Sequence, residues 1–319
     1  GIVVRDLLRP VDRAGLYVPG GRATYPSTVL MTAVPARVAG VPETVLCVPP
    51  ESDGRVPDVT LAAAAIAGVD EVYRVGGVQA IAAMAYGTET IRPVDVIVGP
   101  GNIYVTLAKR EVAGRVGIEA TAGPSELVVV ADESSPPDYV AIDLMAQAEH
   151  GPGGSALLVT WSETLAADVA AAIDRLLAES SRRADTEATL RTGGSIVLVD
   201  GPEQAMAVAN IVAPEHLELM NADPAALVPL VRHAGAVFCG HFAPAAVGDY
   251  VAGVNHVLPT ARTARFSSAL RVANFQKHLH VVGLDEAALG RVAPYVAAFA
   301  DTEGLEAHAK SVRMRGART

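Results

Sequence analysis

Cysteine is nearly absent: the 319 residues hold two, Cys47 and Cys239, far apart and in no CxxC arrangement. Neither a disulfide framework nor a thiolate zinc site is therefore expected. Long apolar runs are missing too, because glycine, proline or a charge interrupts every alanine- and valine-rich stretch before it reaches the length of a bilayer span. The start lacks the basic region and apolar segment of a signal peptide, so a soluble, cytoplasmic protein with no membrane partner is expected. Basic charge is short: 25 Lys and Arg stand against 35 Asp and Glu, and a net charge of −10 repels phosphate backbones, so nucleic acid is not an expected partner. Low-complexity linkers and short repeats are also lacking. What the chain has in quantity is apolar material, 50% hydrophobic residues with a mean hydropathy of +0.32, enough for two domains of ordinary size.

Short β-branched runs alternate with longer alanine- and leucine-rich segments of helical period, the pattern of βα units whose strands are buried on both faces. Candidate strands are 15–18, 44–48, 71–75, 94–98, 126–130, 156–161, 195–199 and 236–239. Helices are expected near 27–38, 59–67, 78–86, 103–112, 139–150, 165–180, 203–212 and 225–234. This is a mainly parallel α/β architecture, and the βα count divides near Gly123-Pro-Ser125 into two Rossmann-like domains, 1–125 and 126–271. Strand-forming runs thin out after Val272. Residues 272–319 read as a C-terminal helical tail, with one or two amphipathic helices over 284–313 that suit packing on a neighbour. The chain runs almost at once into a strand and glycine turn, which leads one to expect something before it.

Ala213-Pro-Glu-His-Leu-Glu218 sets the carboxylate of Glu215 beside the imidazole of His216 after a proline that ends a helical run. Such a pair moves protons at neutral pH when its surroundings raise the glutamate pKa, though Glu-His neighbours are also common on solvated surfaces. Gln147-Ala-Glu-His150 closes a helix with an amide oxygen and an imidazole on one face, where they could grip a metal ion or simply form a polar helix end. In Gly248-Asp-Tyr-Val-Ala-Gly-Val-Asn-His256, Asp249 offers a hard oxygen ligand beside His256, and a helix cap with a turn histidine is the ordinary alternative. Glu303-Gly-Leu-Glu-Ala-His308 pairs another carboxylate and imidazole, or forms a solvated helix face. His278 and His280 alternate along a possible strand and read as surface residues. Glycine turns at Gly20-Gly21, Gly76-Gly77 and Gly99-Pro-Gly-Asn102 each precede a helix whose first amides could hold an anion, but none spells GxGxxG. Cys239 ends a strand before a loop, a place for a thiol nucleophile in aldehyde oxidation, yet reads first as a small core residue.

Together these stretches resemble the histidinol dehydrogenase family over nearly the whole chain. The resemblance is carried by Leu16-Tyr-Val-Pro-Gly-Gly21, Arg74-Val-Gly-Gly-Val-Gln79, Val98-Gly-Pro-Gly-Asn-Ile-Tyr104, Ala122-Gly-Pro-Ser-Glu126, Gln147 to His150, Ala213 to His216, Gly248-Asp-Tyr250 with Asn255-His256, and Glu303 to His308. It implies two Rossmann-like, aldehyde-dehydrogenase-like domains and oxidation of L-histidinol to L-histidine through L-histidinal, with two NAD and one zinc ion. It further implies that Gln147, His150, Asp249 and His308 hold the zinc and that Glu215 and His216 do the acid and base work. Ser125, His256 and Glu303 would contact the substrate, as would His216 and the zinc ligands, while Tyr17, Gln79 and Asn102 match positions that touch NAD. Family members are homodimers whose tail reaches into the partner's site, so Glu303 and His308 would serve the other subunit.

A donor set of nitrogens and oxygens without thiolate suits borderline zinc, and a substrate with an imidazole and an amine can complete its coordination, so the metal would chiefly orient the substrate. Two departures stand out. Almost none of the family's segment before the Tyr-Val-Pro-Gly-Gly turn precedes Leu16, and Asn274 and Gly151, the latter in His150-Gly-Pro152, replace expected acidic residues. Competing readings are a related dehydrogenase of another small polyol, a Cys239-dependent aldehyde dehydrogenase, and a homologue that binds zinc and ligand without turnover.

Overall fold

The computed structural model describes residues 1–316 apart from Arg22, Thr121, Ala122 and Pro152. Ala122 and Pro152, each part of a sequence motif above, lie outside the described residues, as does the end of the tail at 317–319. The chain forms two compact units, one of Val11–Phe275 and one joining Gly1–Pro10 to Gln276–Thr319. After β1 (Ile2–Pro10), the larger unit opens with β2 (Arg13–Tyr17), α1 (Pro26–Ala39), β3 (Glu43–Cys47), α2 (Asp58–Ala67), β4 (Glu71–Tyr73), α3 (Gly77–Tyr86), β5 (Val96–Val98), α4 (Ile103–Val112) and β6 (Gly117–Ile118). Their sheet is parallel, in the order β4-β3-β2-β5-β6. All five residues of β2 are buried, which explains its unbroken run of mostly uncharged side chains; Arg13 is accommodated by ion pairs to Glu43 and Glu71. Alanine-rich faces of α1 and α2 cover one side, with Val29, Leu46 and Val98 in that core, and α3 and α4 cover the other around Ile81, Met84 and Ile97.

A second sheet of the same design follows: β7 (Glu126–Ala131), α5 (Pro137–Ala148), β8 (Ser155–Thr160), α6 (Glu163–Glu179), α7 (Arg183–Gly193), β9 (Gly194–Leu198), α8 (Pro202–Val212), β10 (His216–Met220), α9 (Pro224–Leu227), β11 (Ala236–Cys239) and α10 (Ala245–Tyr250). It is parallel, in the order β11-β10-β7-β8-β9. In both sheets the strand that comes first in sequence is central, the next two lie on one side and the last two on the other. That order is the one of a doubly wound sheet. The chain between α10 and the end of the unit returns to the first sheet, where Val257, Leu270 and Phe275 join the core of β2 and α1.

The smaller unit pairs β1 antiparallel with β12 (Gln276–Leu284) and continues into α11 (Glu286–Thr302) and α12 (Glu306–Gly316). The tail thus begins with a 3₁₀ turn, Val272–Phe275, and a strand, and its α-helices start only at Glu286. The possible strand at His278 and His280 is β12, but β1 and the pairing were not expected, because these side chains are mostly exposed and alternate too weakly to mark a buried face. Three other expectations need correction. The helix expected over 225–234 is α9 plus a 3₁₀ turn, Val228–Leu230, since Pro229 supplies no backbone donor to continue it. α7 was not expected; its polar run buries Thr186 and Thr189 rather than an apolar stripe. β10 was not expected either, and it carries the candidate site. Among the described residues, no helix is long and apolar enough to cross a membrane.

Candidate active site

α8 ends at Ala213 in a left-handed conformation (φ 52°), and Pro214 then turns the chain into β10. β10 lies beside β7 with His216 opposite Leu127, so Glu215 and His216 meet Glu126 at the amino edge of the sheet. α5 runs antiparallel to its strands and ends at that same edge, bringing Gln147 and His150. α10 supplies Asp249, and the loop behind it supplies His256.

Glu215 is 7% exposed. Its carboxylate accepts the Ser125 hydroxyl and the Glu126 N–H, the latter at 3.1 Å. Burial pushes its pKa up to about 8, reinforced by the charges of Glu126 and Asp249 and opposed by those two hydrogen bonds. At neutral pH it is mainly a protonated acid. His216 moves the opposite way: burial holds its pKa below the ordinary imidazole value, His150 and His256 add to that effect, and Asp249 and the Glu126 carbonyl oppose it. Its Nδ1–H donates to the Glu126 carbonyl at 3.3 Å, leaving Nε2 as the lone-pair nitrogen, 4.0 Å from Asp249 Oδ1. Phe238 flanks the ring at 6.0 Å between centroids. Two neighbours thus have protonation equilibria driven apart by their surroundings, the arrangement that divides acid from base work.

His256 is oriented from both sides, its Nδ1–H donating to the Asp249 carbonyl at 3.0 Å and its Nε2 accepting the Thr28 hydroxyl at 3.3 Å. Ser125 Oγ also lies 3.3 Å from Gln147 Oε1. Gln147 is buried, and its Nε2 has no partner. Turning the amide over lets nitrogen donate to Ser125 and leaves oxygen, a metal donor, in the unpartnered place. Among the described residues, no three His, Cys, Asp or Glu side chains are grouped to hold a metal ion. Gln147, His150 and Asp249 carry nitrogen and oxygen donors of the kind that would fit zinc.

Ser125, Gln147, His150, Glu215, His216, Asp249 and His256 are thus gathered in one place. Tyr17, Gln79 and Asn102 lie elsewhere, at the carboxyl edge of the first sheet. There the Tyr17 hydroxyl accepts the Gly77 N–H at 3.0 Å, Gln79 is exposed on the first turn of α3, and Asn102 caps α4 by accepting from Tyr104 and Val105. β2 and β5 mark the point where the strand order of that sheet reverses, the usual crevice for ligands of doubly wound sheets. The matching crevice of the second sheet is laced shut: Asp132 accepts from Ser134 and Ala222 N–H groups, and the Ser135 hydroxyl donates to the Met220 carbonyl. Glu303 and His308 belong to the smaller unit, both exposed near the junction of α11 and α12.

Cys239 is exposed and not a core residue. It sits opposite Leu219, at the far end of β11 from the residue paired with His216, which leaves no thiol beside the acid and base. Cys47 is buried, and burial pushes its thiol up to about 12. Sequence reasoning overlooked two carboxylic acids near the site, one buried and one half-buried. Glu218, two residues beyond His216 on the same face of β10, accepts the Ala245 N–H at 2.8 Å at the start of α10. Burial and the neighbouring Asp143, one turn before Gln147 on α5, push it up to about 8, while burial raises Asp143 to about 6. Their only sequence signal is spacing: Asp143 and Gln147 share a helix face, and Glu218 and His216 a strand face.

The sequence model of the histidinol dehydrogenase family matches residues 1–316. Histidinol dehydrogenase 2 of Nostoc sp. (strain PCC 7120) is 54% identical over 314 residues, covering 98% of this chain and 72% of the relative. The crystal structure of histidinol dehydrogenase from Elizabethkingia anophelis superposes with a TM-score of 0.95 at 36% identity, covering 99% of this chain and 73% of that one. An acetylating aldehyde dehydrogenase from Geobacillus thermoglucosidasius shares the fold, with a TM-score of 0.60 at 14% identity over 88% of this chain and 77% of that one.

Proposed function

Since the chain belongs to the histidinol dehydrogenase family, we propose that it oxidises L-histidinol to L-histidine by way of L-histidinal, in the cytoplasm, at the end of histidine biosynthesis. The observation that carries the mechanism is the adjacent pair Glu215 and His216, one held above the usual carboxylate range and the other below the usual imidazole value.

His216 Nε2 takes the proton from the substrate hydroxyl in the first oxidation. NAD, when bound, supplies a two-electron acceptor for each of the two oxidations, and zinc, when bound, holds a substrate that bears an imidazole and an amine in one orientation. Glu215, once ionised, takes a proton from water as that water adds to the aldehyde. His216 then accepts a proton from the hydrate in the second oxidation, so both chemical roles stay within one strand entry. Ser125 and His256 line the substrate's place, with Ser125 also steadying the Glu215 carboxyl.

Gln147, His150 and Asp249 are the zinc ligands of the larger unit, with His308 of the partner subunit completing the set in a homodimer. Support comes from the buried, unpartnered end of the Gln147 amide. Glu303 serves the partner's substrate in the same way. NAD lies at the carboxyl edge of the first sheet, near Tyr17, Gln79 and Asn102, where the reversal of strand order supports a dinucleotide. The test is NADH formation from L-histidinol with and without a chelator. Zinc-dependent NADH is expected, and its failure to form from zinc-loaded protein would refute the assignment.

A further inference from the structure

The turn that carries Asn102 is gripped by a charge pair that takes no part in the proton transfers above. Lys109 lies on α4 and Glu119 just beyond β6, with side chains 2% and 3% exposed, and Lys109 Nζ donates to both carboxylate oxygens at 2.7 Å. The pair's remaining hydrogen bonds converge on one residue. Glu119 Oε1 accepts the Gly99 N–H at 2.7 Å, and Lys109 Nζ donates to the Gly99 carbonyl at 3.1 Å.

Gly99 follows β5 with a φ of +119°, and a Cβ there would run into the Tyr17 carbonyl. Backbone contact at Gly99 and the hydroxyl bond to Gly77 make Tyr17 a strut between two glycine turns. A buried ion pair is a poor source of stability, since desolvation largely cancels its attraction and apolar side chains of equal volume often serve as well. What this pair does supply is direction, because it holds both hydrogen-bonding groups of a glycine that is otherwise free to rotate.

We propose that Lys109 and Glu119 are positioning residues for the dinucleotide, fixing Gly99 so that the turn to Asn102 meets the cofactor in one geometry. The proposal rests on the placement of NAD at this edge. Two variants test it in the full-length enzyme. Glu119→Asp keeps the charge and withdraws the carboxylate by one methylene; Lys109→Met combined with Glu119→Leu refills the volume and removes both grips on Gly99.

The Kd for NAD, measured by calorimetry, is expected to rise about 10- to 100-fold in the double variant and at least about threefold in Glu119→Asp. KM for L-histidinol should stay within about twofold, and amide exchange over residues 98–102 should accelerate together with the loss of NAD affinity. An unchanged Kd in a folded variant overturns the proposal, as does an equal loss toward both substrates. If the double variant does not fold, Glu119→Asp decides alone. A wild-type protein that binds no NAD would instead sink the cofactor assignment, an outcome distinct from variants that bind as the wild type does.

Discussion

Replacing Glu215 by Gln should make the protein more stable and the enzyme worse. The Glu215 carboxyl is raised from 4.5 to about 8 by burial. The folded state therefore keeps a proton that the unfolded chain loses, and stability falls as pH climbs from about 4.5 through 8. At pH 7 the cost is about 3 kcal/mol, and it vanishes below about pH 4.5, where both states are protonated. Glu215→Gln is isosteric and still accepts the Ser125 hydroxyl and the Glu126 N–H. It removes the titration but leaves an amide N–H₂ to place, so a net gain of about 2 kcal/mol is expected, or roughly 4 °C in Tm. Thermal melts of the metal-free protein at pH 8 and pH 4.5 should show that gain only at the higher pH. In the same variant, conversion of histidinal to histidine should fall about 10²- to 10⁴-fold through loss of a base, while oxidation of histidinol to the aldehyde level falls far less. An equal Tm shift at both pH values would refute the buried-acid argument. Acid formation at the wild-type rate would reassign Glu215.

His216→Ala should depress both oxidations about 10²- to 10⁴-fold in steady-state assays of each step, as the proposed role of its Nε2 in each requires. The acid limb of the wild-type rate profile should fall below the ordinary imidazole pKa, as the direction of the His216 shift requires. Glu218→Gln should flatten the loss of stability with rising pH, since a carboxyl raised to about 8 favours the fold below its unfolded value and withdraws that support as pH rises; denaturant titrations between pH 5 and pH 8 check it. Cys239→Ser should leave activity within about twofold, and a near-total loss would revive a thiol intermediate in the second oxidation.

The elements most readable from the chain are those whose burial is apolar throughout. β7 is Glu-Leu-Val-Val-Val-Ala with its last five residues buried, and its run has no other reading than an internal strand. β10, His-Leu-Glu-Leu-Met, is buried just as fully, but His216 and Glu218 are held there by the Glu126 carbonyl and the α10 amide, with Asp143 beside Glu218. Those partners are distant in sequence, so the run looks like half a surface. Lys109 illustrates the same limit: on a helix of period 3.6 it reads as a solvated side chain, and only the closed sheet puts Glu119 across from it. His256 stood out beside Asp249 in its own segment, whereas only the resemblance to a family pointed to Ser125, since a serine in a loop carries no chemical signal alone. α7 and β1 escaped because little apolar surface is buried in either.

One strand order is used twice, from opposite ends, and the backbone gives those ends opposite signs. The first sheet is read where α1, α3 and α4 begin, and none of the three has an acidic residue in its first turn. The second is read where α5 and α8 finish, and neither has a basic residue in its last turn. Each helix end carries about half an elementary charge, positive at its start and negative at its finish. Left uncancelled, these fields would favour a diphosphate at the first edge and a cation at the second, as the proposed reading requires. On that reading, one architecture used twice would gain two complementary sites without altering its wiring, by turning its second copy's working edge around.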